Sequence, residues 1–223
     1  MQLEQYQGTK REILDAAERL FAAHGFKATS LRAITSEAGA NLGAVNYHFT
    51  SKDELILAVL KRRIEPLNKK RMAMLNAYQA ASGGVPPKVE QVLDALFRPA
   101  IELTKEPCSG GVTCLKLMSK LLAEEARTYL KPLIEEEFGE SKWRFHAALR
   151  QAMPELSEEE AYWKLHFALG VLVHTLCHSE LLEIFSQGRC RLTGIDETLK
   201  RIIAFCAAGF AAGRASNHEF LKN

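Results

Sequence analysis

Apolar residues return at helical rather than strand spacing along almost the whole chain. Ile13, Ala16, Ala17, Leu20 and Phe21 fall at i, i+3, i+4, i+7 and i+8, one stripe of an amphipathic helix. Thr9-Lys10-Arg11-Glu12 ahead of the stripe reads as a capping box: the threonine hydroxyl takes a first-turn N–H and the glutamate reaches back. His24-Gly25 ends the helix, because glycine tolerates a positive φ there. Two short helices follow. One runs from about Leu31 to Ala38 behind Thr29 and Ser30 and stops at Gly39; the other runs from about Leu42 to His48 behind Asn41. Ser51-Lys52-Asp53-Glu54 is a second capping box. The helix it opens carries Leu55, Ile56, Val59 and Leu60 and extends to about Tyr78, with Pro66 expected to kink or interrupt it.

Ser82-Gly83-Gly84-Val85-Pro86-Pro87 punctuates the chain as a loop. Beyond it the pattern predicts helices over about 88–104, 110–128 and 130–153. A long helix is expected from a capping box at Ser157-Glu158-Glu159-Glu160 to about Gln187, and a last one from about Ile195 to Gly213. No alternating strand and no internal repeat occurs. The expected fold is all-α. Residues 1–55 form a small three-helix unit, and residues 56–223 form a larger helical bundle joined to it by a continuous helix.

Composition narrows the class. The 223 residues are 47% hydrophobic and 25% charged, ordinary globular proportions. No run approaches the roughly 18 apolar residues that would read as a membrane span. The first residues lack the basic and apolar stretches of a signal peptide, so a cytoplasmic protein is expected. The five cysteines, Cys108, Cys114, Cys177, Cys190 and Cys206, are odd in number and show no Cys-x-x-Cys, which argues against a disulfide framework. With 29 Lys and Arg against 27 Asp and Glu, the formal charge is +2. Any nucleic-acid contact must therefore come from a local face.

That face is sought between Thr29 and Lys52. Two short helices joined by about three residues with a glycine in the turn have helix-turn-helix spacing. Ile34, Ala38 and Val45 can pack them together, leaving Leu42, Ala44, Asn46 and Tyr47 on the outer side of the second helix. A short helix of this kind fits the major groove. Asn46 can pair with adenine through two hydrogen bonds, and Leu42 and Ala44 can touch a thymine methyl. Tyr47, His48, Thr29 and Lys52 suit phosphates, Lys52 at a helix N-terminus that also attracts an anion. Residues 24–52 carry Lys27, Arg32 and Lys52 against Glu37. Over residues 1–54, however, acids outnumber bases, seven to six. By spacing alone, an ordinary three-helix packing unit fits equally well.

The run Ala-Gly-Ala-Asn-Leu-Gly-Ala-Val-Asn-Tyr-His-Phe-Thr-Ser-Lys at 38–52 resembles the DNA-binding signature of the TetR family of repressors. So does the preceding helix, Ile13 to Phe21 followed by His24-Gly25-Phe26, and the resemblance covers about residues 9–57. It implies an all-α homodimer whose paired recognition helices are released from DNA by a ligand in the C-terminal domain. On the family pattern Thr29, Ser30, Arg32, Asn41, Leu42, Ala44, Asn46, Tyr47, His48 and Lys52 fall at DNA-facing positions. Many relatives carry a polar or basic residue in place of Leu42, threonine in place of Ala44 and an aromatic in place of Asn46. Base readout here is therefore expected to lean on Asn46 and apolar contacts. Asn46–Phe49, Tyr162–Gly170 and Ala207–Gly213 are similar to the PsrA-like branch, which implies a response to long-chain fatty acids or acyl derivatives.

The C-terminal half shows two further features. Leu165, Leu169, Leu172, Leu176 and Ile202, Phe205, Cys206, Phe210 form apolar stripes, and Ala204, Ala207, Ala208, Gly209, Ala211, Ala212 and Gly213 allow close helix approach. These fit intrachain core or, with the family's dimer mode, a four-helix homodimer interface through helices near 157–187 and 195–213. The middle helices are rich in large apolar residues, and a pocket for a small apolar effector is expected among Phe97, Ile101, Met118, Leu122, Trp143 and Phe167. His174 and His178 have the i, i+4 spacing of zinc ligands but no evident third ligand, so neither metal nor cofactor is expected. Glu135-Glu136-Glu137, Lys61-Arg62-Arg63 and Lys69-Lys70-Arg71 read as solvated faces, the basic runs alternatively as brushing flanking phosphates. No phosphate loop, dinucleotide fingerprint or nucleophile elbow is present. A ligand-responsive repressor is expected on double-stranded operator DNA. The alternatives are an α-bundle carrier or enzyme whose helix-turn-helix is only structural, and a helical adaptor that binds protein partners.

Overall fold

The computed structural model describes residues 8–104, 113, 117, 120–121, 127–137, 139–192 and 194–212. Among the described residues all regular structure is helical. The helices are α1 (Thr9–His24), α2 (Leu31–Glu37), α3 (Leu42–His48), α4 (Lys52–Ala81), α5 (Val89–Leu103), α6 (Arg127–Glu137), α7 (Gly139–Ala152), α8 (Glu158–Cys177), α9 (Ser179–Phe185) and α10 (Ile195–Ala211). The helix expected over 110–128 falls mostly outside the described residues, as do Cys108, Cys114, Met118 and Leu122. No single described helix is long and apolar enough to cross a membrane.

The chain divides into two compact units. One holds the described residues up to Lys69 and those from Leu103 to Gly139. The other holds Lys70–Glu102 and those from Glu140 onward. The unit that contains the helix-turn-helix thus extends well past residue 55.

In the first unit the stripe of α1 is buried as its period requires: Ile13, Leu14, Ala16, Ala17 and Phe21 are fully enclosed. They share one core with Ile34 of α2, Val45 of α3 and Leu55, Ile56, Val59 and Leu60 of α4. The capping at α1 differs from expectation. Gly8, with φ +71, is the N-cap and no side chain closes the first turn, because Thr9 is already inside the helix. Gly25 takes a positive φ of +86, but its ψ of 168 is extended rather than the expected left-handed cap, and it donates its N–H to the Phe21 carbonyl at 2.8 Å.

Helix α4 runs through Pro66 without interruption, ending three residues beyond the expected Tyr78. The proline removes one backbone bond, but Ile64, Asn68, Arg71 and Leu75 on either side are buried and hold the helix in place. The span 130–153 is covered by α6, described to Glu137, and α7, described from Gly139. One expected long helix is broken. The span 157–187 turns by 77° at His178, between α8 and α9. The reason lies in the pattern: Leu165, Ala168 and Leu172 are buried, but continuing that stripe would bring Ser179 and Glu183 inward. Helix α9 buries none of its residues.

In the second unit Val92, Leu93, Phe97, Phe145, Leu149, Leu165, Leu199 and Ile202 are among the buried residues. Helices α8 and α10 are tied by Lys164, whose ammonium donates to the Gly209 carbonyl at 2.7 Å and the Ala212 carbonyl at 2.9 Å. These are last-turn acceptors that the helix itself cannot satisfy. Ser157 caps α8 as the sequence predicts, accepting from Glu160 N–H at 3.2 Å.

Candidate nucleic-acid interface

Helix α3 is short, and its order comes from its ends and its one buried side. Asn41 Oδ1 accepts the Ala44 N–H at 2.8 Å, and Val45 is fully buried against α1 and α2. A Cβ added at Gly43 would lie 3.1 Å from Asn41 Oδ1, so glycine leaves room for this cap. Helix α2 is held the same way, with Ser30 Oγ accepting from Ala33 N–H at 3.1 Å. Gly39, at φ +63, makes the turn between them.

With Val45 turned inward, the opposite side of α3 faces solvent. Asn46 is exposed, Leu42 is 44% exposed and Tyr47 is 85% exposed. This aromatic and leucine lie outside the buried core, and together with an amide they form a surface suited to base edges. Ala44 and His48 are half-buried at its margins, and the Tyr47 and His48 rings meet edge-on at 5.0 Å. Arg32, Ser30 and Asn41 are exposed beside them.

The start of α4 adds a second contact zone. Ser51 Oγ accepts from Glu54 N–H at 3.1 Å, and Glu54 turns back to take both the N–H and the hydroxyl of Thr50 at 2.7 Å. The box therefore closes on Thr50 rather than on Ser51. Those hydrogen bonds hold the Glu54 carboxyl below its usual range. Lys52 Nζ donates one proton to the Lys27 carbonyl at 3.3 Å, which leaves further protons for an anion.

Thr29 requires a correction. It is 3% exposed, and its hydroxyl lies 2.8 Å from the Gly25 carbonyl and 3.3 Å from the Leu20 carbonyl. The side chain pins the loop to the end of α1 and is turned away from solvent.

Of the six expected effector residues, Met118 and Leu122 lie outside the described residues, and the other four do not share one enclosed site. Phe97 and Ile101 lie in the second unit's core. Trp143 and Phe167 are 55% and 59% exposed, so both are surface residues rather than pocket walls. Trp143 stands edge-on to His146 and Tyr162, and Phe167 lies beside Trp163 with ring centroids 5.6 Å apart. The second unit instead shows an open groove of about 750 Å³ between α5 and α10, lined by Asp94, Arg98, Asp196, Leu199, Ile203 and Ala207 among others. His174 and His178 rings lie 5.3 Å apart, and no group of three metal-ligating side chains occurs among the described residues.

The charged runs are not simply solvated. Arg62 and Arg71 are buried, Arg71 donating to the Leu96 carbonyl at 2.8 Å, and Lys61 pairs with Glu136. Sequence reading missed that Arg62 and Arg63 meet Glu18. The signal was present: Glu18 stands four residues after Leu14 and three before Phe21, on the inward stripe of α1.

Comparison with known proteins gives the family. Residues 13–59 match the model of bacterial regulatory proteins, tetR family, and residues 94–209, just over half the chain, match that of the tetracyclin repressor-like C-terminal domain. The chain belongs to the TetR family. Among relatives of this TetR-family protein is the HTH-type transcriptional repressor KstR2 of Rhodococcus jostii. It is 29% identical over 126 residues, which cover 56% of the chain and 58% of the relative. The HTH-type transcriptional regulator TtgR of Pseudomonas putida is 30% identical over 121 residues, 47% of the chain and 53% of the relative. The chain thus spans between half and two thirds of the length of these curated relatives. Two solved structures share the fold. The ketosteroid transcriptional regulator KstR2 of Mycobacterium tuberculosis has a TM-score of 0.59 at 18% identity, over 92% of this chain and 96% of that one. The fatty acid degradation regulator FadR of Bacillus halodurans has a TM-score of 0.53 at 18% identity, over 90% and 96%.

Proposed function

We propose that this TetR-family protein is a cytoplasmic transcriptional repressor that binds a palindromic operator as a homodimer and leaves it when a small apolar effector binds. The observation that carries the reading is α3: a short helix, capped by Asn41 and anchored by Val45, that displays Leu42, Asn46 and Tyr47 to solvent. Residues 1–55 serve as the reading head and residues 56–223 carry effector binding and dimerisation. Ser30, Arg32, Asn41, His48 and Lys52 contact backbone phosphates, and Ala44 borders the base-reading face. The test is selection of duplexes from a random pool by the purified protein, followed by titration in rising salt. A palindromic consensus with salt-dependent affinity supports the reading; failure to enrich any sequence removes it.

The dimer surface follows from α8 and α10. Trp163, Phe167, Gly170 and His174 are exposed on one face of α8, and Ala204, Phe205, Ala208 and Ala212 on one face of α10. Trp163, Phe167 and Phe205 are each more than half exposed, an uncovered apolar surface that a two-fold partner would bury. Phe167 belongs to this surface rather than to the effector pocket.

The effector class we propose is apolar, with a long acyl chain first and a ring system second. The PsrA-like resemblance supports this choice, as do the similar folds of FadR, a fatty acid degradation regulator, and KstR2, a ketosteroid transcriptional regulator. Titration with fatty acids of rising chain length and with a sterol ketone, each with and without operator, separates the two. By linkage, the effector that weakens operator binding must itself be weakened by operator to the same degree.

A further inference from the structure

Glu18 is an acid on the buried stripe of α1, 3% exposed, inside the core that supports the recognition helix. Both of its carboxylate oxygens are taken. Oε2 receives Arg62 of α4, and Oε1 receives Arg63 through Nε at 2.7 Å and through the terminal nitrogen at 2.6 Å. The other terminal nitrogen of Arg62 reaches Asp15 at 2.6 Å. Four formal charges, two of each sign, thus close a neutral cluster between α1 and α4. Burial alone disfavours charge on Arg62, yet hydrogen bonds and attraction from Glu18 and Asp15 outweigh it and hold the guanidinium protonated.

This cluster is a poor choice if stability is all that is needed. Buried ion pairs are often replaced by apolar residues of similar volume with no loss of stability. Here Arg62 Nε is also buried with no hydrogen-bond partner among the described residues. What the cluster supplies is direction, since a guanidinium fork and a carboxylate meet in few orientations.

The place where direction is needed is one turn further on. Pro66 has no N–H, so the Arg62 carbonyl receives no i+4 helical bond. The turn at which the α4 backbone ladder is interrupted is the turn whose side chains are locked to α1. Helix α4 then passes into the second unit after Lys69. In the proposed dimer, the direction in which α4 leaves α1 within the first unit bears on how far apart the two reading heads stand.

We infer that Glu18, Arg62 and Arg63 are positioning residues for operator recognition: their cluster fixes the direction of α4 against the reading head, and with it the half-site spacing the dimer accepts. The inference rests on the proposed dimeric DNA binding. If the wild-type protein enriches no palindrome, the dimeric reading and this inference both fall; a palindrome bound with the same spacing preference by wild type and variant overturns the inference alone.

The experiment compares wild type, the apolar double variant Glu18→Met with Arg62→Met, and the single variant Arg62→Lys. Each is measured by thermal unfolding, by affinity for random duplex, and by affinity for the selected palindrome. A set of palindromes with half-sites moved together or apart by one to three base pairs completes the comparison. The double variant is expected to remain folded, unfolding below the wild-type temperature because Arg63 loses Glu18, and to bind random duplex with unchanged affinity. On the selected palindrome it should lose at least about tenfold, with its preference among spacings flattened. A folded double variant with the wild-type spacing preference overturns the inference. If the double variant does not fold, Arg62→Lys decides, because it keeps the charge but not the fork. A reduced spacing preference in that variant supports the inference, and a wild-type preference overturns it.

Discussion

Asn41 Oδ1 and the Ala44 N–H meet at 2.8 Å, closing the first turn of the recognition helix with an atom from the helix's own N-cap. That leaves the Asn41 NH2 group free to donate outward and keeps the first turn rigid before any DNA arrives. The base-reading load then falls on the exposed side chains further along α3.

Asn46 is the one exposed amide within α3 and can donate to and accept from a single adenine. Asn46→Ala is expected to cost about 1–3 kcal/mol on the selected palindrome and much less on random duplex. Gel-shift titrations on the two DNAs check this. Equal losses on both would assign Asn46 to the phosphate backbone.

Lys52 contributes charge rather than sequence information. Lys52→Ala should weaken binding to every duplex by a similar factor and lower the slope of log affinity against log salt by about one. A variant that changes base preference at an unchanged slope contradicts the docking proposed for the start of α4.

Thr29 acts on folding. Its buried hydroxyl has two carbonyl acceptors, and Thr29→Val leaves both without that donor while nearly preserving volume. A loss of about 1–3 kcal/mol in unfolding free energy is expected, largely restored by Thr29→Ser. The salt slope of DNA binding should not move. If Thr29→Val lowers that slope while unfolding is unchanged, the threonine faces phosphate after all.

Assembly is tested on α10. Ala208 lies on the exposed face beside Phe205, and a charge there would have to be buried in the proposed interface. Ala208→Glu is expected to give a monomer by sedimentation that retains helical content and no longer binds the palindrome. A wild-type protein that sediments as a monomer would falsify the four-helix arrangement.

The Arg98 bridge gives a pH signature. Arg98 donates to Asp94 and, at 2.8 Å, to Asp196, which joins α5 to α10. Its hydrogen bond and charge hold Asp196 below its usual carboxyl range. Because the folded value is depressed, the bridge's contribution is present above the unfolded value and is lost as pH falls through the folded one. The difference in unfolding temperature between wild type and Asp196→Asn should stay level from neutral pH to about pH 5, then close below about pH 4. A gap that persists to about pH 2 would mean that the asparagine acts through something other than this ion pair.

The period of apolar residues by itself determined most of the helices, and local chemistry determined several of their ends. Ser30, Asn41, Ser51 and Ser157 cap as their positions predict, because an N-cap bond reaches only two or three residues along the chain. The outward face of α3 was legible for the same reason: with Val45 inward, helical geometry leaves Leu42, Asn46 and Tyr47 outside. Tertiary structure decided what depends on partners distant in sequence. Whether Thr29 faces DNA depended on the Gly25 and Leu20 carbonyls, and whether Lys61-Arg62-Arg63 is solvated depended on Glu136 and Glu18. Phe97 and Trp143 are both large and aromatic on helices of the same unit, yet one is enclosed and the other is half exposed. Hydrophobicity gives a side chain a reason to be covered, and only the packing of distant helices determines whether its own fold covers it.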